Sequence, residues 1–400
     1  MTYERRATLL PWLLLALMLI AGLLIRLAVL DAKGHVGDAI VIGRWADNMA
    51  TYGPWNFYRH DGAIYPALLY AYWPIGAFLD GAAQARAIKG LSIPFDLLIG
   101  IVAYLAARRM VGPWQALVAP AVYLFNPAVL LAGPVWGQVD AAGALAYLLA
   151  LMALAGRRFA LAGAFAVLAM LVKPQFGLVL LPVAIVAIQR LRATHSAEPV
   201  VRALLGGAVA YLVVALPLRL DPISYANRII SAGSFKEMSS ANAANIWGLL
   251  IGYKHPDGSL VYIGGILLLI GLVAAVLPLR WRQNLPTILA VGAFVIFAFY
   301  FLPTRVHERY LFPAMAVLAP LAALNWRLLV VYLLMTAAFA ASMLYALVDT
   351  TPFTFWPWLV DLVTRPDARI WISLTLIAAA ATLVVMLSLP ANRTPPEGAS

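Results

Sequence analysis

The constraint that decides what this chain can become is a series of apolar runs, each about as long as a bilayer-crossing helix and separated by short polar punctuation. Between Leu9 and Leu30, for example, Arg26 is the one charged residue. A soluble domain has nowhere to put many such helices, whereas a bilayer core about 30 Å thick takes roughly 20 residues of helix apiece. Roughly twelve spans follow, over 8–30, 91–108, 115–132, 140–155, 160–173, 175–190, 203–219, 260–278, 286–302, 309–324, 327–347 and 370–390. The composition agrees, with 64% hydrophobic and 11% charged residues. The fold class expected is an all-α polytopic membrane protein, a single transmembrane domain over 1–390 followed by a short polar tail, 391–400. The first run exceeds the apolar core of a signal peptide and is read as a retained helix.

A formal charge of +11 suggests nucleic acid only until the basic residues are placed. Strict alternation from a cytoplasmic N-terminus puts Arg5, Arg6, Arg108, Arg109, Arg157, Arg158, Arg190, Arg192, Arg202, Arg280, Arg282, Arg327 and Arg393 on one side, against Glu4, Glu198 and Glu397. The remaining charges nearly balance, so the excess is a positive-inside topology signal and not a nucleic-acid footprint. No cysteine is present, which excludes disulfides, thiolate metal sites and cysteine nucleophiles.

The same alternation gathers every unusual polar motif on the other, outer side: HVGDAIV, YRHDGAIYP, VWGQVD, KPQ, SANAANIWG and RVHERYLFP. Two long outer connections carry several of them, 31–90 and 220–259. In the first, Val41, Trp45, Met49 and Tyr52 recur at helical spacing opposite Arg44, Asp47 and Thr51, the pattern of an amphipathic interfacial helix. A second apolar piece, Tyr65 to Leu79, is broken by Pro74 and reads either as a helix on the outer leaflet or as a short true span. The aromatic stretch TPFTFWPWLVDLV, 351–363, reads as an interfacial anchor.

Candidate site residues follow from what each motif offers. Asp38 is either a helix N-cap or a carboxylate held as a general base, and Asp61 is a loop residue or a second acid. Gln138 and Asp140 stand at the outer boundary of a span, where an acid faces a polar cavity or caps a helix. Lys173 and Gln175 flank Pro174 at a helix break; the lysine either snorkels or points into a site. Asn242, Asn245 and Trp247 either shape turns or meet sugar hydroxyls and a sugar face. Arg305, His307, Glu308 and Arg309 crowd one span entrance, as suits an oxyanion at headgroup depth, because arginine offers a phosphate two donors at once. His35 and His60 with Asp31 and Asp38 have no recognised metal-ligand spacing, so no metal and no cofactor is expected.

No nucleotide-binding loop is visible, and sugar transfer from a lipid phosphate needs none. In order, an acidic first outer loop, GQVD, KPQFGLVLLP, ANAANIWG and HERYLFP resemble the GT-C superfamily of polyprenyl-phosphate-sugar-dependent glycosyltransferases. Within it they are similar to the dolichyl-phosphate-glucose glucosyltransferases and their bacterial mannosyltransferase-like relatives, although HERY stands here where those have HEK. The resemblance spans about 35–315, each motif being short and the order carrying the specificity. It implies a GT-C-like bundle of about 11–13 helices with first-loop helices lying on the membrane. It further implies an integral protein of the bacterial inner membrane whose active site faces the non-cytoplasmic side, and an inverting single displacement with Asp38 as base. The partners implied are a polyprenyl-phosphate-linked sugar donor, a glycan or glycolipid acceptor and membrane lipid. A transporter or flippase of lipid-linked sugars would also place charges in a cavity but ordinarily shows internal repeats, and none is apparent here. An O-antigen-type polymerase or ligase would use a lipid-pyrophosphate donor instead.

Overall fold

The computed structural model describes residues 3–234, 237–351 and 357–388. The polar tail and residues 352–356 of the aromatic stretch lie outside the described residues. The first part of the chain forms α1 (Tyr3–Val29), α2 (Val36–His60), α3 (Pro66–Phe78), α4 (Gly81–Gly90), α5 (Ser92–Arg108), α6 (Val118–Leu124) and α7 (Pro127–Leu130). Then come α8 (Asp140–Ala155), α9 (Phe159–Val172), α10 (Leu180–Thr194), α11 (Glu198–Ala215), α12 (Pro222–Ser234) and α13 (Ile246–Leu250). The chain closes with α14 (Leu260–Val276), α15 (Leu285–Phe301), α16 (Phe312–Ala322), α17 (Trp326–Val348), α18 (Pro357–Thr364) and α19 (Ala368–Ser388).

Among the described residues, eight helical stretches are long and apolar enough to cross a membrane, and α8, α9 and α15 are shorter apolar helices beside them. With α16 and its leading 3₁₀ turn, Glu308–Leu311, every span read from the sequence has a helix. Three of the short members, α8, α15 and α16, are interior. All of α16 is buried, as are most of α8 and α15, while α11 and α14 expose Leu204, Val209, Leu212, Ile266 and Leu269 as a lipid-facing surface would. Small residues let α9 and α11 approach closely: a Cβ on Gly163 would meet the Ala203 carbonyl oxygen at 2.0 Å, and one on Gly206 the Ala160 carbonyl oxygen at 1.9 Å. Such contacts hold helices together where lipid removes the hydrophobic drive.

In the first connection, Trp45 and Met49 of α2 are buried as the amphipathic pattern requires, while Val41 and Tyr52 remain partly exposed. The helix kinks at Gly53 (φ 64°), just before Pro54. Pro74 does not break the second piece: α3 runs through it to Phe78. At 13 residues α3 is about 20 Å long, too short to span. It lies instead against α2, where Gly76 sits so close that a Cβ would be 2.1 Å from the Ala46 carbonyl oxygen. Pro174 does end a helix: α9 stops at Val172, Lys173 is extended, and a 3₁₀ helix, Pro174–Val179, leads into α10.

Hydropathy gives no warning of a buried ion pair linking α1 to α5. Arg26 and Asp96 are both fully buried, with Arg26 Nε donating to Asp96 Oδ2 at 3.0 Å and Tyr123 Oη donating to Asp96 Oδ1 at 2.8 Å. Arg26 also donates to the carbonyls of Gly22 and Leu124. Charges away from water persist only when paired and hydrogen-bonded, and removing one partner strands the other at a cost of about 3–5 kcal/mol. Arg26→Leu is therefore expected to lower the thermal unfolding temperature in detergent sharply, and Arg26→Leu/Asp96→Leu to recover most of the loss. A single variant as stable as the parent would contradict this account of the pair.

Candidate active site

Connections far apart in sequence meet at one end of the bundle. His35 N–H donates to the Trp136 carbonyl, and the His35 ring stacks flat on the Trp136 indole, with centroids 4.9 Å apart and planes 2° from parallel. Gly34 makes this approach possible: a Cβ there would lie 2.7 Å from the Val135 carbonyl oxygen. His35, and not Asp38, caps α2, its Nδ1 accepting from the Asp38 N–H at 3.0 Å. The Asp38 carboxylate is thereby left to other partners.

Those partners come from the turn between residues 135 and 140. A π-helical turn, Leu131–Val135, feeds Gly137, whose φ of 98° lies where glycine alone is comfortable. The turn aims two donors at one oxygen: Trp136 Nε1 at 2.8 Å and Gln138 Nε2 at 2.5 Å from Asp38 Oδ2. Lys173 Nζ donates to Gln138 Oε1 at 2.7 Å and also to Asp140 Oδ1. Because an ammonium only donates and a carboxylate only accepts, the Gln138 amide can sit one way round. The HERY turn approaches from the other side. Arg309 Nη2 is 3.7 Å from Asp38 Oδ2 while Nη1 donates to Glu308 Oε1 at 2.7 Å, and the guanidinium lies 5.7 Å from the Trp136 ring centroid. His307 Nδ1 is 3.8 Å from Glu308 Oε2.

Gln138, Asp140, Lys173, Glu308 and Arg309 are all buried, whereas the Asp38 side chain keeps 25% of its exposure. Two buried atoms in this cluster lack a hydrogen-bond partner among the described residues, Arg309 Nε and Asp140 Oδ2. Burial on its own would raise the Asp38 pKa. The Arg309 charge and the Trp136 hydrogen bond outweigh it and hold the carboxyl well below the usual range, so Asp38 is an anion at any physiological pH.

The remaining sequence candidates are engaged elsewhere. Asp61 accepts from Arg44, Trp45, Asn48 and the Gly62 N–H, which ties the end of α2 to its own middle. Arg305, in a left-handed backbone conformation (φ 64°), makes a two-pronged pair with Asp257, Nε to Oδ2 at 2.7 Å and Nη2 to Oδ1 at 3.2 Å. Asn245 caps α13 by accepting from the Gly248 N–H at 2.8 Å, and Trp247 is buried with its Nε1 donating to the Leu302 carbonyl at 2.7 Å. Asn242 donates to Asp349 at 3.3 Å. Gln175 is half-buried and makes no side-chain hydrogen bond with a described residue. His60 stacks on Tyr52, and Asp31 pairs with Arg86. Sequence reasoning passed over Trp136, whose indole is both a donor to Asp38 and the shelf for His35; its place inside VWGQVD was the available signal.

The fold defines a class: an all-α membrane-protein bundle whose inter-span loops build a charged cluster at one end. No protein-family model and no curated protein matches the chain. Among solved structures, the crystal structure of ArnT from Cupriavidus metallidurans bound to undecaprenyl phosphate is similar at a TM-score of 0.52 and 17% identity, over 93% of this chain and 75% of that one. The apo structure of the same protein matches at a TM-score of 0.49 and 19% identity, over 93% and 76%. At 17% identity the likeness to the bound form is one of fold.

A depressed carboxyl pKa makes a signed statement about stability. A group whose folded pKa lies below its unfolded value stabilises the fold above the unfolded pKa and loses that contribution as pH falls. The parent is therefore expected to unfold at a higher temperature than Asp38→Asn at about pH 6, with the gap closing below about pH 4. A gap independent of pH in thermal unfolding curves would mean that Asp38 is not held by charge.

Proposed function

We propose that the chain is an inverting glycosyltransferase that moves a hexose, mannose or glucose, from a polyprenyl-phosphate donor to an acceptor hydroxyl of a lipid-linked glycan or glycolipid at the outer membrane face. The observation that supports this best is the half-open Asp38 carboxylate lying 3.7 Å from Arg309, a buried arginine whose Nε has no partner among the described residues. A base and a phosphate-suited cation side by side are what a single displacement at a sugar phosphate requires.

In that reaction the acceptor oxygen bonds to the anomeric carbon from the face opposite the phosphate. The bond from that carbon to the phosphate oxygen breaks, with its electron pair leaving on the polyprenyl phosphate, and the acceptor proton passes to Asp38. Trp136 and Gln138 occupy Oδ2, leaving Oδ1 to take the proton. Arg309 meets the charge that grows on the leaving phosphate, the larger of the two contributions in a buried site. A bound phosphate also draws on the same guanidinium that depresses the Asp38 pKa, so donor binding strengthens the base just before it is needed. Lys173 acts through Gln138, fixing the amide that orients Asp38. Arg305, matched to Asp257, shapes the turn and carries less of the phosphate's charge than the bare motif suggests.

Asp38→Asn is expected to insert and bind donor normally but to lose transfer by about 10²–10⁴-fold, the usual worth of a general base. Arg309→Ala should raise KM for the donor and lower kcat together, with Arg305→Ala milder in both. Near-parental transfer by Asp38→Asn would move the base to Asp140. Incubating the purified protein in detergent with a panel of polyprenyl-phosphate hexoses tests the class itself. Turnover of one panel member without a gradient is expected, and no turnover of any would favour a transporter of the same lipids.

A further inference from the structure

The end of the bundle opposite Asp38 holds an open pocket of about 630 Å³, lined by the α8–α9 turn, α10 and the 3₁₀ turn Leu277–Arg280. Arg157, Arg190 and Arg280 reach it from these three stretches, and no aspartate or glutamate lines it. None of the three makes a side-chain hydrogen bond or ion pair with a described residue. By contrast Arg202 pairs with Glu198 at 2.7 Å. Arg157 has a left-handed backbone (φ 57°), a conformation unfavourable for a residue that bears a side chain, so the turn holds an arginine where a glycine would sit with less strain. Gln283 Nε2 donates to Gln189 Oε1 at 2.6 Å, which leaves the Gln189 amide nitrogen as a further donor on the lining.

Cations and amide donors without an opposing acid suit phosphate oxygens. The volume is that of a headgroup pocket, and the exposed Trp281 on its lining is placed to meet the membrane interface. Basic pockets of this kind between spans, on the side that carries the excess positive charge, take anionic lipid headgroups. We propose that this pocket binds the phosphodiester headgroup of an anionic membrane lipid, a ligand distinct from any sugar donor and independent of the transfer reading. The excess positive charge at this end is then a binding site as well as a topology signal.

The test is lipid retention by the intact protein in native mass spectrometry, after exchange into mixtures of phosphatidylglycerol and phosphatidylcholine. The parent is expected to retain phosphatidylglycerol preferentially. Arg157→Ala, Arg190→Ala and Arg280→Ala should each weaken retention about fivefold, with Arg→Gln at the same positions giving the same losses in case alanine perturbs packing. Arg202→Ala, at the same end, should change nothing. Retention unaltered in the triple variant, or an equal loss in Arg202→Ala, would overturn the site. Displacement of the lipid by millimolar inorganic phosphate would reassign it to a soluble anion and overturn the lipid proposal.

Discussion

One chain of polar contacts organises the end of the molecule where chemistry is proposed: Glu308 to Arg309, Arg309 to Asp38, Asp38 to Gln138, Gln138 to Lys173 and Lys173 to Asp140. It joins the first connection, the 135–140 turn, the break after α9 and the entrance to α16. Each link is buried or nearly so, and the charges in it are tolerable there because each is paired or hydrogen-bonded to a neighbour. Taken as a whole it does not balance: three carboxylates face two cations. An incoming phosphate therefore has to share Arg309 with groups that already claim it. In the proposed reaction this competition ties Asp38's strength as a base to the presence of donor.

Rigidity around this chain comes from groups that take no part in the proposed reaction. The Arg26–Asp96–Tyr123 cluster locks α1 to α5 and α6. Ser92 and Asp96 close around Gly133 of the π-helical turn, where a Cβ would meet Ser92 Oγ at 2.9 Å. That turn delivers Trp136 and Gln138. The buried ion pair and the site are thus mechanically continuous through Gly133.

Much of this was legible in the chain. Apolar run length alone located a helix in each of the twelve runs, and among the described residues eight stretches are long and apolar enough to cross a membrane. Alternation then assigned VWGQVD, KPQ and HERY to one end, where the structure joins Gln138, Asp140, Lys173, Glu308 and Arg309 around Asp38. What stayed hidden were choices between equal local chemistries. Arg305 and Arg309 are indistinguishable in RVHERY, and their fates diverge only because Asp257, from another loop, captures the first. Asn245 and Trp247 carry groups that could cap a helix or grip a sugar, and the helix that needed capping is a five-residue turn with no periodic signal. Pro74 broke a pattern without breaking a helix, and Arg26 and Asp96 are single residues in long apolar runs, with nothing local to mark them as partners.

The most direct measurement is a structure of the protein with polyprenyl phosphate bound, determined by electron cryo-microscopy. The account requires the phosphate to contact Arg309 through Nε or a terminal nitrogen, with the Asp38 carboxylate facing the position the sugar would occupy. A phosphate held by Arg305 or Lys173 with Arg309 still closed onto Asp38 and Glu308, or bound away from this cluster altogether, would contradict it.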